Sequence, residues 1–318
     1  MATAASEADR PLDLICMGEP LIEFNQQPSP DGRPVYLQGI GGDTSNAAIA
    51  AARQGVRVAY LTAVGADAFG DMLLQIWEAE DVDVRFVRRD NVAPTGIYFV
   101  SHGPDGHHFT YRRAGSAASL LSPAEVPDEM IGATRIFHAS AISQAISSSC
   151  CDAVFHAIAR ARQLGTYVSY DTNLRLRLWG IERARAVIHE TIGMADLTLA
   201  SIEEGQLLTG LTDADAIVDT YLRYGAQMVV LKLGPEGALL ANAEGRLHVK
   251  GHRVATVDAT GAGDAFAGGF LARLIAGDSP DEAARYANAV AALSTTGYGA
   301  VAPIPRKADV EAFLAERA

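Results

Sequence analysis

The sequence predicts an α/β fold: a parallel β-sheet covered by helices on both faces, with a small antiparallel β-sheet set against its edge as a lid. Three observations predict it. Short apolar runs alternate with helix-period stretches along most of the 318 residues. Glycine recurs where the helical stretches stop, as in "AAARQG" at 50–55. Two segments, 19–42 and 94–116, break this rhythm and carry Pro-Asp-Gly turns in place of a helix.

In chain order, residues 1–11 are small and polar and end at Pro11, which predicts a disordered leader before a single domain over 12–318. "LDLICMG" predicts a first strand, and "TSNAAIAAARQG" a helix with Thr44 or Ser45 near its cap. "VRVAYLTAVG" and "AFGDMLLQIWEAED" read as strand and helix. Between them and around them, residues of about 19–39 and 94–114 form the extended pairs of the lid. "ATRIFHAS", "TYVSYD", "ADLTLAS" and "AQMVVLKLG" read as buried strands, separated by the helices "CCDAVFHAIARARQLG" and "IEEGQLLTG". "HRVATV", 252–257, is strand-like and feeds a last glycine-rich turn and helix. A flap over a sheet's carboxyl edge suits a lid on a binding cleft, although a purely structural extra sheet is the alternative.

With 49% hydrophobic and 20% charged residues, the composition is that of a soluble globular protein with a full-sized core. A formal net charge of −12 argues against a non-specific nucleic-acid or anionic-membrane surface, so any anionic ligand must meet locally placed cations. No apolar run is long enough to span a bilayer, and the N-terminus lacks the regions of a secretory signal. Cys16, Cys150 and Cys151 are odd in number and lack metal-ligand spacing, which predicts reduced thiols and a cytoplasmic location.

Four stretches carry candidate chemistry. "GIGGDTSNAAIAAARQG" places Gly39, Gly41 and Gly42 before a helix, followed by Asp43 and Asn46; it is either a flexible capped turn or a site where backbone and side chains meet hydroxyls. "FTYRRAGSAAS" puts Arg112 and Arg113 in an otherwise acidic chain, on opposite faces by strand alternation, so at most one enters a given cleft; a solvated hairpin end is the bland alternative. "SYDTNLRLRLW" sets Asp171, Asn173 and Arg175 at a strand's carboxyl end, where open α/β sheets bind ligands, and "LKLGPEGALL" sets Lys232 before Gly234 and Gly237 in a tight turn. Finally, "VDATGAGDAFAGGFLARL" holds Gly261, Ala262, Gly263 and Asp264 at a helix start. An acid there either caps the helix or stands beside an anion site to do chemistry, and this stretch alone leaves both open. His138 lies in an apolar run and reads as core. No zinc-protease, nucleophile-elbow or Walker A motif is present, and the glycine spacing does not fit a dinucleotide fingerprint.

Taken together, "GGDTSNAAIAAARQG" and "DATGAGDAFAGGF" make the chain resemble the ribokinase-like (PfkB-type) carbohydrate kinases along essentially its whole length. The resemblance implies a ribokinase-like three-layer α/β/α domain with a β-sheet lid. It implies that Asp264 is the general base and that the N–H groups of Gly261, Ala262 and Gly263 form an anion hole. It also implies ATP and Mg²⁺, with Ser201, Lys232, Gly234, Gly237, Gly261, Gly263 and Asn288 lining the nucleotide site. Glu204 would orient water on Mg²⁺, Ser201 standing where the family's asparagine is usual, and Asp258 would shape a monovalent-cation site for an ion such as K⁺. Family members often dimerise through the lid, which implies a homo-oligomer.

Within the family, "MGEPLIEF", "GIYF", "YRRAGSAAS" and "DTNLRLRLW" look most like 2-keto-3-deoxygluconate kinases. That likeness implies that Gly42, Asp43, Asn46 and Asn173 meet substrate hydroxyls, that Tyr98 covers the sugar, and that Arg112 and Arg175 bind its carboxylate. A fructokinase or another sugar kinase of this fold is the alternative. A non-catalytic sugar or nucleotide sensor is the reading from another class, and the presence of Asp264 and its glycines argues against it.

Overall fold

The computed structural model describes residues 10–27, 29, 33–103 and 106–317. The first strand, β1 (Leu12–Met17), is buried along its whole length. Its residues alternate between two cores: Ile15 and Met17 pack into one, Leu14 and Cys16 into the other. A strand buried on both faces suits the interior of a sheet covered by helices on each side. β1 accordingly pairs in parallel with β4 (Val58–Gly65) on one side and β9 (Thr134–Ser140) on the other.

Beyond β9 the sheet continues through β10 (Tyr167–Asp171), β11 (Leu197–Ser201) and β12 (Met228–Lys232), all parallel, to an antiparallel edge of β13 (Ala238–Asn242) and β14 (Gly245–Val249). The short β5 (Val82–Asp83) and β6 (Val87–Asp90) pair with β4 at the other end. One core is closed by α3 (Asp128–Gly132), α5 (Ser148–Gln163), α6 (Ile181–Ile192) and α8 (Ala214–Tyr224). The opposite core is closed by α1 (Asp43–Arg53), α2 (Ala68–Ala79), α9 (Ala262–Ala276) and α10 (Pro280–Ser294). This is the three-layer arrangement expected from the alternation of strands and helices. The short α4 (Ala141–Ala145), α7 (Ile202–Thr209) and α11 (Lys307–Ala315) complete the chain.

A second sheet, in the order β3-β2-β7-β8, is built from β2 (Leu21–Gln27), β3 (Val35–Gly41), β7 (Ile97–Gly103) and β8 (Gly106–Arg112). Each hairpin is antiparallel as expected, but the two are joined by a parallel pairing of β2 with β7. On one face Phe24 stacks on Phe99 and meets Phe69 of α2; Leu21, Tyr98, Val100 and Phe109 gather on the other. Most of both Pro-Asp-Gly turns lies outside the described residues.

Residues 1–9 of the expected leader also lie outside the described residues, whereas Arg10 is placed and buried. Its guanidinium donates to the carbonyls of Thr134, Leu164 and Gly165 and to Thr166 Oγ1, which pins the chain before β1. The strand expected at 252–257 does not form: Val257 is exposed, and the N–H groups of Val257 and Asp258 go to the Thr295 carbonyl at the end of α10 instead of to the edge strand β14. All three cysteines are buried and unpaired, and no helix among the described residues is long and apolar enough to cross a membrane.

Candidate active site

The carboxyl ends of β10, β11 and β12 lie side by side and finish in Asp171, Ser201 and Lys232. The N-termini of α1 and α9 come to the same place because these two helices touch closely. A Cβ added at Gly268 of α9 would lie 2.4 Å from the carbonyl oxygen of Ala47 and 2.6 Å from Ala50 Cβ. Only a residue without a side chain permits that approach. It brings Asn46 Nδ2 to 2.9 Å from Asp264 Oδ2, across 218 residues of chain.

Asp264 sits in the first turn of α9, behind Gly261 at φ +75°, a left-handed conformation packed against Ala300. Both remove the option of a side chain at 261. Burial pushes the Asp264 carboxyl up to about 7, helped by the like charges of Asp43 and Asp171; the Asn46 amide and the Lys232 ammonium pull the other way. The first turn leaves the N–H groups of Gly261, Gly263 and Asp264 without helical acceptors. Ala262 differs from expectation, because its N–H donates to the Ala259 carbonyl at 3.2 Å.

Lys232 Nζ lies 2.7 Å from Asp171 Oδ2 and would lie 3.4 Å from a Cβ on Gly263, so its ammonium stands beside this turn. Burial works against its charge, but Asp171, Glu204 and Asp264 hold it protonated above the usual lysine range. Asp171 Oδ1 accepts from the backbone N–H of Asn173 at 3.1 Å, which orients the carboxylate. Asn173 Nδ2 in turn donates to Asp43 Oδ2 at 3.1 Å, and Asp43 follows the Gly42 cap of α1. Burial raises the Asp43 carboxyl as well, Asp171 adding to the effect.

Glu204 and Ser201 form a capping box on α7: Ser201 Oγ accepts from Glu204 N, and Glu204 Oε2 accepts from Ser201 N, each at 3.2 Å. Thr172 Oγ1 donates to the same Glu204 oxygen at 2.8 Å, while Arg175 Nη1 lies 3.5 Å from Oε1. Burial raises Glu204. Among the described residues no three acidic, histidine or cysteine side chains gather to hold a metal directly. A buried carboxylate beside the end of β11 suits a Mg²⁺ that arrives with nucleotide phosphates and keeps its waters.

The lid supplies the remaining groups. Tyr98 donates its hydroxyl to Glu23, and the ring reaches Gly41, beside the start of α1. Burial raises Tyr98 first, then Glu23, with Tyr111 and Asp264 after them, so the hydroxyl is within electrostatic reach of the Asp264 carboxylate. The arginine expected at 112 is displaced by one residue. Arg112 pairs with Ile97 and therefore projects to the face opposite Tyr98, where it is exposed. Arg113 takes the inward position: its guanidinium lies over the Tyr111 ring and pairs with the fully buried Glu19. Its Nε is buried without a hydrogen-bond partner.

Other expected residues have mainly structural tasks. Asn288 donates to the carbonyls of Val249 and Lys250, both at 3.2 Å. Gly234 and Gly237 flank a single helical turn between β12 and β13. Asp258 accepts from Thr260 N, Thr260 Oγ1 and Gly299 N, so its carboxylate ties the turn before α9 to the loop at 299. His138 is core, held neutral by burial at about 4 and paired with Ser169 Oγ. Sequence reasoning missed Glu19, Glu23 and Gly268, and of the Arg112–Arg113 pair it assigned Arg112; only the double glycine after Asp264 signalled any of the three missed.

This arrangement can take a proton from a hydroxyl at Asp264 while N–H groups and an ammonium face an anion. The description "pfkB family carbohydrate kinase" matches residues 15–307. The 2-dehydro-3-deoxygluconokinase of Bacillus subtilis (strain 168) is 34% identical over 309 residues, covering 95% of this chain and 95% of its own length. Fructokinase-1 of Oryza sativa subsp. japonica is 34% identical over 312 residues, covering 93% of this chain and 96% of its own. The crystal structure of the Vibrio cholerae O395 fructokinase, in its fructose-, ADP- and calcium-bound form, matches with a TM-score of 0.86 at 32% identity, covering 96% of this chain and 100% of its own.

Proposed function

The chain belongs to the pfkB family of carbohydrate kinases, has its ribokinase-like fold and is a phosphotransferase acting on a sugar; from that premise we propose that it transfers the γ-phosphoryl group of ATP to the terminal hydroxyl of 2-keto-3-deoxygluconate. The observation that carries the chemistry is Asp264, a carboxylate with an acidity near 7 placed in the same helical turn as unpaired N–H groups. Asp264 accepts the hydroxyl proton as the sugar oxygen attacks phosphorus, and the N–H groups of Gly261 and Gly263 hold the charge that develops on the transferred group. A carboxylate is too weak to ionise an alcohol in advance, so positioning and electrostatics do most of the work. Mg²⁺, when bound, neutralises phosphate charge, and Glu204 orients its water.

Asp43, Asn173 and Asn46 Oδ1, which is buried without a partner, meet sugar hydroxyls; Tyr98 closes the cleft from the lid. Gly234, Gly237 and Asn288 border the nucleotide. Arg113, with its unpartnered Nε, supports a sugar acid as substrate. A neutral ketose is the second reading, favoured by the pairing of Arg113 with Glu19, which already matches its charge. Edge strand β3, with Val35 and Leu37 exposed, supports a dimer through the lid, and the unpaired cysteines support a cytoplasmic location.

The test is ATP- and Mg²⁺-dependent phosphorylation of 2-keto-3-deoxygluconate against fructose and ribose by wild type, Arg112→Ala and Arg113→Ala. The expected result is a preference for the keto-acid that Arg113→Ala abolishes and Arg112→Ala leaves intact. A preference for fructose indifferent to Arg113 keeps the kinase and replaces the substrate.

A further inference from the structure

We propose that Lys232 is a catalytic residue that holds the phosphoryl group during transfer, and that Asp171 is its positioning residue. The geometry begins with the sheet. β10 and β12 flank β11, so their ends are two strand spacings apart, about 10 Å. Lys232 spans that gap across the end of β11 to put Nζ 2.7 Å from Asp171 Oδ2. The same Nζ is the nearest heavy atom to the space above Gly263, in the turn that opens α9.

An ammonium has three donors, and Asp171 takes one. The others are directed by that fixed contact toward the α9 turn, where a negatively charged group is met by N–H dipoles. Asp171 is fixed at both oxygens by the protein, Oδ1 by Asn173 N–H and Oδ2 by Lys232, so its orientation serves the lysine. Its proximity to Lys232 keeps the lysine charged in a place where burial alone would favour the neutral amine. During transfer the bond from phosphorus to the β–γ bridging oxygen breaks, the bond from phosphorus to the sugar oxygen forms, and the hydroxyl proton passes to Asp264. Lys232 stays protonated throughout and follows the three non-bridging oxygens.

This inference rests on the kinase reading, and the two fail differently. A wild type that turns over no sugar with ATP fails that reading; a wild type that turns over sugar and is indifferent to Lys232 fails only this inference. The experiment is a double-mutant cycle in kcat and KM with Lys232→Met, Asp171→Asn and both together, at saturating Mg²⁺. Loss of one preorganised donor to developing charge costs about 100-fold or more in kcat, so Lys232→Met is expected to lose that much while KM for the sugar stays within about threefold. Asp171→Asn is expected to lose about tenfold alone and nothing further on the Lys232→Met background. Thermal melting accompanies each variant. Where Lys232→Met leaves Asp171 buried and unpaired and fails to fold, the double variant, which removes both charges, is compared with Asp171→Asn and is expected to be at least about tenfold slower. A Lys232→Met enzyme with unchanged kcat and only a raised KM for ATP overturns the catalytic role. Additive losses from the two positions overturn the positioning role of Asp171.

Discussion

The acidity of Asp264 sets a pH limb that can be worked out from its neighbours. Its carboxyl is raised from an ordinary 3.8 to about 7, first by burial and then by Asp43. A base must be ionised to act, so kcat/KM is expected to fall below neutrality by a factor of about ten per pH unit. At pH 5 about one molecule in a hundred has the ionised form, a loss of about 100-fold from the plateau. An aspartate at its ordinary value would lose almost nothing there. The γ-phosphate of ATP also titrates, near pH 6, and two variants separate it from the protein. Asp43→Asn removes the like charge and is expected to move the limb to lower pH. Asn46→Ala removes the hydrogen bond that favours the ionised form and is expected to move it to higher pH. Because Asp43 and Asp264 interact, the measured limb belongs to the pair. The assay is ADP release from pH 5 to 9 with saturating Mg²⁺. A profile flat to pH 5, or a limb that stays fixed in both variants, refutes the reasoning.

The same displaced acidity has a cost in stability. A carboxyl whose native value exceeds its unfolded value destabilises the fold progressively as pH rises from about 4 to about 7, and by a constant amount above that. Asp264→Asn is therefore expected to be inactive yet more stable than wild type at pH 8, by at most about 4 kcal/mol, with the gap closing toward pH 4.5 in denaturant titrations. Gly268→Ala places a methyl 2.4 Å from the Ala47 carbonyl oxygen and is expected to cost about 1–3 kcal/mol by overpacking while lowering kcat, because it parts Asn46 from Asp264. Gly180→Ala, with nothing within 4 Å of the added carbon, is the control; it changes only the N-cap of α6 and is expected to cost less than about 1 kcal/mol with kcat unchanged. Equal melting of the two alanine variants contradicts the account of how α1 and α9 approach.

How far the sequence could be read depended on whether a feature is local. β1, β4 and β9–β12 were legible because strands buried on both faces read as continuous apolar runs, and glycine closed the helices between them. "HRVATV" has the same local pattern but does not pair with β14, and pairing is a property of the sheet. Alternation showed that Arg112 and Arg113 diverge. Which one faces the cleft depends on the register Ile97↔Arg112, fixed by a strand far from the motif. Glu19 with Arg113 and Asp171 with Lys232 are separated by 94 and 61 residues, so no spacing rule exposes them. Glycine before an acid was visible; that the glycine four residues after the acid sets the distance to Asn46 was not.

Those long-range pairs change what the site's charge means. The net charge of −12 predicted locally placed cations for an anionic ligand, and each cation at the cleft also has an acid: Arg113 has Glu19, Lys232 has Asp171 and Arg175 has Glu204. Glu23 accepts from Tyr98 instead of a cation, and two further acids of the cleft, Asp43 and Asp264, share a different feature. Each lies in the first turn of a helix, where the backbone supplies partial positive charge without a counter-acid. The helix start is thus asked to stabilise a carboxylate base and, beside it, a phosphoryl group. Burial comes first, and the repulsion between Asp43 and Asp264 adds to it, so Asp264 holds its proton near neutrality. A sugar entering between them relieves that conflict, since one of its hydroxyls can donate to Asp43 while the attacking hydroxyl gives its single proton to Asp264. On the proposed mechanism, that conflict is therefore the same arrangement that makes a weak base effective toward a sugar hydroxyl.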